Sequence, residues 1–310
     1  MRAVVFAYHN VGYRCLGVLL AHGVDVALVI THEDNPTENI WFESVSALAR
    51  QNNIPVLAPD APNTPELAAR IAALSPDFIF SFYYRHMLST EVLKLARRGA
   101  FNMHGSLLPK YRGRVPVNWA VLHGESETGA TLHEMTAKPD AGRIVDQETV
   151  SILPDDTAKQ VFDKVTNAAA TVLNRSLPAL LAGTAMLVEQ DAGQATYFGG
   201  RKPEDGRIDW QQSAAQIHNL VRAVAPPYPG AFFDTKLGRI RILRTRLREE
   251  TPADMMAAPA LYTAADDMFV ISADRKLIQV LEAELNGFPL DAAKWRATNG
   301  AFPVFLSAFG

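Results

Sequence analysis

From Arg2 to Phe82 the chain alternates short β-branched, apolar runs with stretches of helical periodicity. The runs predict strands over 2–8, 26–31, 55–57 and 77–82. The periodic stretches predict helices over 15–21, 42–52 and 65–74, with a turn at Gly23. Short apolar strands separated by helices of this length indicate a parallel sheet wound with crossover helices, because both of its faces are covered. Such sheets bind ligands beyond the carboxyl ends of their strands.

Further on, residues 156–181 predict one long helix. Thr157 and Gln160 fit a capping box, and Val161, Val165, Ala168, Val172, Leu177 and Leu180 recur on one face. Pro178 is expected to kink this helix and Gly183 to end it. After Arg201-Lys202-Pro203-Glu204-Asp205-Gly206 the texture changes. A helix over 213–224 stops at Pro226-Pro227, and strands are expected over 231–234, 239–247, 268–271 and 277–282. The fold class expected is therefore α/β. A Rossmann-like, mostly parallel sheet in a catalytic domain, 1–203, precedes a small β-rich, OB-like barrel domain, 204–310.

The 310 residues are 48% hydrophobic and 20% charged, which is ordinary for a folded globular chain and excludes wholesale disorder. No apolar run is long enough to span a bilayer, and MRAVVFAYHN lacks the long apolar stretch and small-residue cleavage site of a secretory signal. A cytoplasmic location is expected. A single cysteine, Cys15, rules out an internal disulfide and a multi-cysteine metal site, and its apolar surroundings suggest an inert core residue. His9, His22, His32, His123, His133 and His218 form no metal-spaced pair, so they read as structural or exposed and no metal is expected. After the first strand comes Ala7-Tyr8-His9-Asn10-Val11-Gly12, which is not a dinucleotide fingerprint, and there is no P-loop. The net charge of -3 disfavours broad electrostatic binding to nucleic acid.

The densest polar constellation lies between Asn102 and Asp140. If residues 101–104 are extended, Asn102 and His104 share one face and Met103 takes the other. An amide N–H that can hold an oxyanion and an imidazole that can move a proton suit attack on a carbonyl. Asp140 sits in the turn-rich Lys138-Pro139-Asp140-Ala141-Gly142, where a mobile surface aspartate is the plain alternative, and spacing alone does not return it to His104. Arg112 and Arg114 have guanidinium groups suited to a diphosphate. Ser106 lacks a nucleophile elbow, which leaves capping or a hydrogen bond to substrate. Arg201 lies in a basic linker that solvent alone would explain, and His86-Met87-Leu88 reads as the start of an amphipathic helix.

The segment NMHGSLLPKYRGRVPVNWAVLHGESETGATLHEMTAKPDAGRIV resembles the folate-dependent formyltransferases, in which Asn-x-His, SLLP-x-YRG and a later Asp-x-Gly form the active site. FSFYYRHML, THEDNP, RKPEDGRIDW and NLVRAVAPPYPGAF extend the resemblance to a sugar-modifying branch, the formyltransferase domains of bifunctional polymyxin-resistance enzymes. The resemblance implies transfer of a formyl group from 10-formyltetrahydrofolate to the 4-amino group of UDP-4-amino-4-deoxy-L-arabinose, a step in lipid A modification. Asn102 would hold the formyl oxygen, and His104 would donate a proton to the leaving folate nitrogen. Asp140 would orient the imidazole and accept the amine's proton. His86, Met87 and Leu88, with Thr136, Ala137, Lys138, Pro139 and Asp140, would line the folate pocket. Arg114 would bind substrate, with Ser106 and Arg201 as weaker candidates for the same role. A bell-shaped pH profile is expected, rising as the amine deprotonates and falling as His104 loses its proton.

Other readings stay open. A methionyl-tRNA formyltransferase would share the catalytic residues, but acidic and basic residues nearly balance from Glu204 onward. The only basic stripe runs from Arg239 to Arg248, and its alternation fits a solvated strand face. Glu33, Asp34 and Glu38 also make the stretch after the second strand acidic, where the tRNA enzymes resemble one another in a basic insertion. A formyltransferase for another nucleotide amino sugar is a second alternative, and a doubly wound domain that binds without turnover is a third. The bifunctional enzymes continue into a dehydrogenase; this chain is expected to be either a free-standing formyltransferase or one cut at the domain boundary, and residues 264–310, expected to complete the barrel, favour the first.

Overall fold

The structure is a computed structural model, and it describes residues 1–34, 39–249, 259–300 and 304–306. The chain begins with β1 (Arg2–Ala7), α1 (His9–Ala21), β2 (Asp25–Ile30), α2 (Val45–Gln51), β3 (Val56–Leu57), α3 (Pro65–Leu74) and β4 (Phe78–Phe82). It continues through α4 (Thr90–Leu93), β5 (Gly99–His104), β6 (Arg112–Gly113), α5 (Pro116–Leu122), β7 (Glu127–Glu134), β8 (Ile144–Ser151), α6 (Ala158–Ala182) and β9 (Tyr197–Phe198). Two compact units result. One comprises Met1–Pro116, Glu127–Ser151 and Phe162–Gly199, and the other Val117–Ser126, Ile152–Val161 and Gly200–Gly310.

In the first unit one sheet runs in the order β3-β2-β1-β4-β5-β7-β8. The first five strands are parallel, and β7 and β8 complete it as an antiparallel hairpin. The parallel strands carry the core: every residue of β1 after Arg2 and every residue of β4 is buried. Strand order reverses between β1 and β4, the position at which doubly wound sheets open a ligand crevice. Helix starts are set by side chains that satisfy otherwise unpaired amides. Ser44 accepts from Ala47, Thr64 from Leu67 ahead of Pro65, and Ser89 from Val92.

Several elements differ from the sequence reading. Helix α1 begins six residues earlier than expected, directly after β1, because its polar first turn hides the periodicity. Gly12 lets that turn close in, since a Cβ there would lie 3.1 Å from the Ala7 Cβ and 3.2 Å from the Phe82 carbonyl oxygen. Residues 86–88 form no helix; α4 starts only at Thr90. The β7–β8 hairpin was not expected from the sequence; β7 is buried along most of its length, whereas β8 is half-exposed along most of its own. Helix α6 matches its expected face, with Val161, Val165, Ala168, Val172, Leu177 and Leu180 all buried and the Thr157–Gln160 box formed in both directions. Pro178 lies inside this helix without ending it, and Gly183 follows it at φ +75°.

The second unit holds α7 (Ala214–Val224), β10 (Ala231–Thr235), β11 (Gly238–Arg248), β12 (Ala260–Ala264), β13 (Asp267–Ile271), β14 (Leu277–Leu285), β15 (Phe288–Pro289), α8 (Ala292–Asn299) and β16 (Val304–Phe305). Its antiparallel sheet runs β10-β11-β14-β13-β12-β16, with β15 on β14, over a core that includes Trp210, Ile217, Phe233 and Trp295. The architecture is thus α/β with a mostly parallel sheet and a small β-rich second domain. The parts of the expected barrel and of the acidic stretch at 35–38, 250–258, 301–303 and 307–310, Glu38 among them, lie outside the described residues. Along β11, Arg239 pairs with Asp234, Arg241 with Glu284 and Arg246 with Asp155, so most of the basic stripe is locally neutralised. No helix among the described residues is long and apolar enough to cross a membrane.

Candidate active site

Strand β5 carries Asn102 and His104 to one face at its carboxyl end. Asn102 sits in register between Ser81 of β4 and His133 of β7, and His104 lies opposite Thr131. His104 is 6% exposed. Its Nε2 lies 2.8 Å from the Tyr111 carbonyl oxygen, and since a carbonyl only accepts, Nε2 carries the hydrogen. Nδ1 is therefore the nitrogen that exchanges a proton, and it faces Asp140 Oδ1 at 3.7 Å. Burial lowers the His104 pKa from its ordinary value, and the Asp140 charge offsets only part of that cost. The imidazole is neutral at pH 7.

His133, expected to be merely structural or exposed, belongs to this cluster. It is 1% exposed, and its Nδ1 donates to the Glu134 carbonyl oxygen at 2.7 Å. With the hydrogen on Nδ1, Nε2 is the acceptor, and it takes an N–H of the Asn102 amide at 3.2 Å. That bond fixes which end of the amide faces inward and leaves the Asn102 nitrogen a second N–H. His133 Nε2 also lies 3.6 Å from Asp140 Oδ1. The residue had no motif to mark it, because its position depends on the β5–β7 pairing.

Asp140 is not a mobile surface residue; its side chain is 14% exposed. Oδ2 accepts the Gly113 N–H at 2.8 Å, and Oδ1 faces both imidazoles. Burial pushes its pKa up, but His104, His133 and the Gly113 amide outweigh it and hold the carboxyl well below the usual carboxylate range. The backbone there is left-handed, φ +51°. It is pinned by Gln190, whose Nε2 donates to the carbonyls of Asp140 and Gly142 at 2.9 and 2.6 Å. Gln190 in turn accepts two N–H groups of Arg112. Arg112 is 4% exposed, so its guanidinium serves the loop and not a diphosphate. Gly142 is required because a Cβ there would overlap the Glu134 carbonyl oxygen.

The other expected residues lie in different places. Ser106 is fully buried, and its Oγ donates to the Lys110 carbonyl at 2.7 Å, which fits the capping alternative and not the hydrogen bond to substrate. Arg201 lies in the second unit, over the Trp119 ring at 4.9 Å, with an N–H on the Asp205 carbonyl. His86 and Arg114, in contrast, line one cavity of about 540 Å³ with His32, Asp60 and Arg85. The cavity lies past the carboxyl ends of β2, β3 and β4, and Arg114 adjoins the Gly113 that holds Asp140. Met87 and Leu88 belong to the loop beside it. Asn63, which carried no sequence signal, clamps that loop by donating to the Met87 carbonyl and accepting from the Ser89 N–H. Thr136, Ala137, Lys138 and Pro139 form the turn into Asp140, closed by Thr136 Oγ1 on the Lys138 carbonyl.

A buried neutral imidazole, an ionised carboxylate beside it and an oriented amide N–H are the groups that acyl transfer to an amine requires. Family comparison agrees. The formyl transferase model matches residues 18–177, and that of the formyl transferase C-terminal domain matches residues 201–299. The chain belongs to the formyl transferase family. It is a formyl-transferring enzyme, and solved formyltransferases share its fold. An N-formyltransferase from Helicobacter canadensis, in complex with folinic acid and dTDP-3-aminofucose, superposes with a TM-score of 0.72 at 22% identity, covering 90% of this chain and 98% of that one. HypX from Aquifex aeolicus with tetrahydrofolic acid gives 0.63 at 17%, covering 96% of this chain and 47% of that one. Methionyl-tRNA formyltransferase from Clostridium thermocellum gives 0.56 at 16%, covering 80% and 94%.

Proposed function

We propose that this formyl transferase moves a formyl group from 10-formyltetrahydrofolate to the amine of a nucleotide-linked sugar, and that UDP-4-amino-4-deoxy-L-arabinose is the first acceptor to test. The observation that carries the chemistry is the cluster in which Asn102, His104, His133 and Asp140 converge on one strand end. Two further observations support the substrates. The Helicobacter canadensis structure holds folinic acid with a dTDP-amino sugar, and HypX holds tetrahydrofolic acid. The Phe80–Leu88 and Asn102–Arg114 motifs resemble the sugar-modifying branch. Neutralised arginines along β11 and the acidic Glu33 and Asp34 oppose a tRNA acceptor.

The donor supplies an activated formyl carbon. The acceptor amine attacks that carbon, and the Asn102 N–H not used by His133 holds the oxygen as it gains charge. His104 starts neutral, so Nδ1 takes the amine's proton and returns it to the departing folate nitrogen. Asp140 stays ionised and stabilises the transient imidazolium across 3.7 Å. Orientation of the ring comes from the Tyr111 carbonyl. His86, the 87–88 loop and the 136–140 turn form the folate side, and Arg114 is the cation for an anionic group of donor or acceptor. The catalytic work lies in the first domain, in a cytoplasmic enzyme.

A panel of acceptors tests the reading: UDP- and dTDP-linked amino sugars and charged initiator tRNA, each offered with the folate donor and followed by mass. Formylation of a nucleotide sugar supports it. Formylation of tRNA alone would overturn it.

A further inference from the structure

The residue after β4 is Tyr83, whose φ of +57° places a bulky aromatic in the left-handed region. His9, two positions past the end of β1, has φ +64°. These strands are the pair at which the sheet order reverses, and both rings pack on Phe162, with centroids 5.5 and 4.8 Å away. Non-glycine residues held in this conformation at a crevice persist only where the surroundings over-determine them.

The Tyr83 hydroxyl oxygen is buried and points at Gly105, the residue between His104 and Ser106. A Cβ on Gly105 would overlap that oxygen. Its next neighbours would be the Tyr83 Cζ at 3.1 Å and Pro116 Cγ at 3.6 Å. Gly105 itself lies outside the left-handed region, so its own backbone would accept alanine. The phenol is thus the chief reason that position 105 has no side chain. We propose that Tyr83 is a positioning residue for the catalytic strand: its phenol fills the space a side chain at 105 would need and so seats the His104–Ser106 main chain.

The rate measurements below rest on the formyl-transfer reading, whereas the spectroscopic one does not. Three variants decide the matter: Gly105→Ala, Tyr83→Phe and the double variant. Each is measured for kcat, for KM of both substrates and for the His104 imidazole resonance. Gly105→Ala is expected to lose about 10- to 100-fold in kcat with KM little changed, the scale of a small misplacement of reacting groups, and to displace the His104 resonance. In the double variant a methyl replaces the hydroxyl at nearly constant volume, so both quantities return to the Tyr83→Phe level. Wild-type kcat and resonance in Gly105→Ala, or a double variant no better than Gly105→Ala, would overturn the proposal. If Gly105→Ala does not fold, the double variant must fold, and its failure would overturn the proposal equally. A wild-type protein that transfers no formyl group refutes the functional reading and leaves the resonances to decide the pairing.

Discussion

His104 Nδ1 and Asp140 Oδ1 lie 3.7 Å apart, beyond hydrogen-bonding distance, while His104 spends its Nε2–H on the Tyr111 carbonyl at 2.8 Å. The carboxylate therefore acts on the imidazole through its charge and not by orienting it. That charge favours the imidazolium, yet burial wins and the His104 pKa stays below its ordinary value. An amine that attacks as the free base and an imidazole that starts neutral both gain activity as they deprotonate, so the rate should rise to a plateau without the alkaline fall of the simple expectation. The acid limb carries the titrations of His104 and of the acceptor amine. Removing the Asp140 charge lowers the His104 pKa further. Asp140→Asn should therefore shift the acid limb of kcat/KM to lower pH while reducing the maximum, and an upward shift would exclude a neutral His104 stabilised by Asp140.

His133 should matter through Asn102. Replacing it with phenylalanine removes the acceptor that orients the amide, without removing the amide. The expected loss in kcat is about 10- to 100-fold, smaller than the 100- to 1,000-fold typical when an oxyanion donor is itself deleted. Donor KM should change little, and steady-state kinetics of the His133→Phe and Asn102→Ala variants side by side would show the order.

Gly142 is closed to any side chain by the Glu134 carbonyl, a main-chain atom that cannot rotate away. Gly142→Ala should shift the turn that Gln190 pins and carry Asp140 with it. We expect at least a 10-fold loss of kcat and a destabilisation of about 1–3 kcal/mol, the range for forced overpacking. Urea unfolding and the kinetic assay on the same sample separate the two effects.

Arg222 is a stability position in the second unit. It is 7% exposed and donates to Asn219 Oδ1 and to the carbonyls of Leu153 and Asp156. Arg222→Met keeps the packing volume and strands those acceptors, at a cost of about 1–3 kcal/mol. The urea midpoint should fall while kcat per folded molecule stays at the wild-type value.

Much of the fold was legible because its strongest signals are local. Periodicity 2 and 3.6 located β1 to β4, α3 and the buried face of α6, and the Thr157–Gln160 box marked where α6 starts. The strand geometry of β5 likewise put Asn102 and His104 on one face. What stayed hidden depends on pairing distant in the chain. His133 reaches Asn102 only through the β5–β7 register, and Tyr111 serves the site with a carbonyl that no side-chain pattern reports. Gln190, fifty residues past Asp140, is found only once the fold places it. For Ser106 the sequence left capping and a hydrogen bond to substrate open, and only the fold shows its hydroxyl on the Lys110 carbonyl.

The most direct test is a single-turnover measurement with a carbon-13 formyl donor and UDP-4-amino-4-deoxy-L-arabinose, comparing wild type with His104→Ala. The label should pass to the sugar amine in the wild type, with a loss of about 100- to 10,000-fold in the variant. Transfer at the wild-type rate by His104→Ala would contradict the catalytic account, and failure of the label to reach any nucleotide sugar would contradict the proposed acceptor.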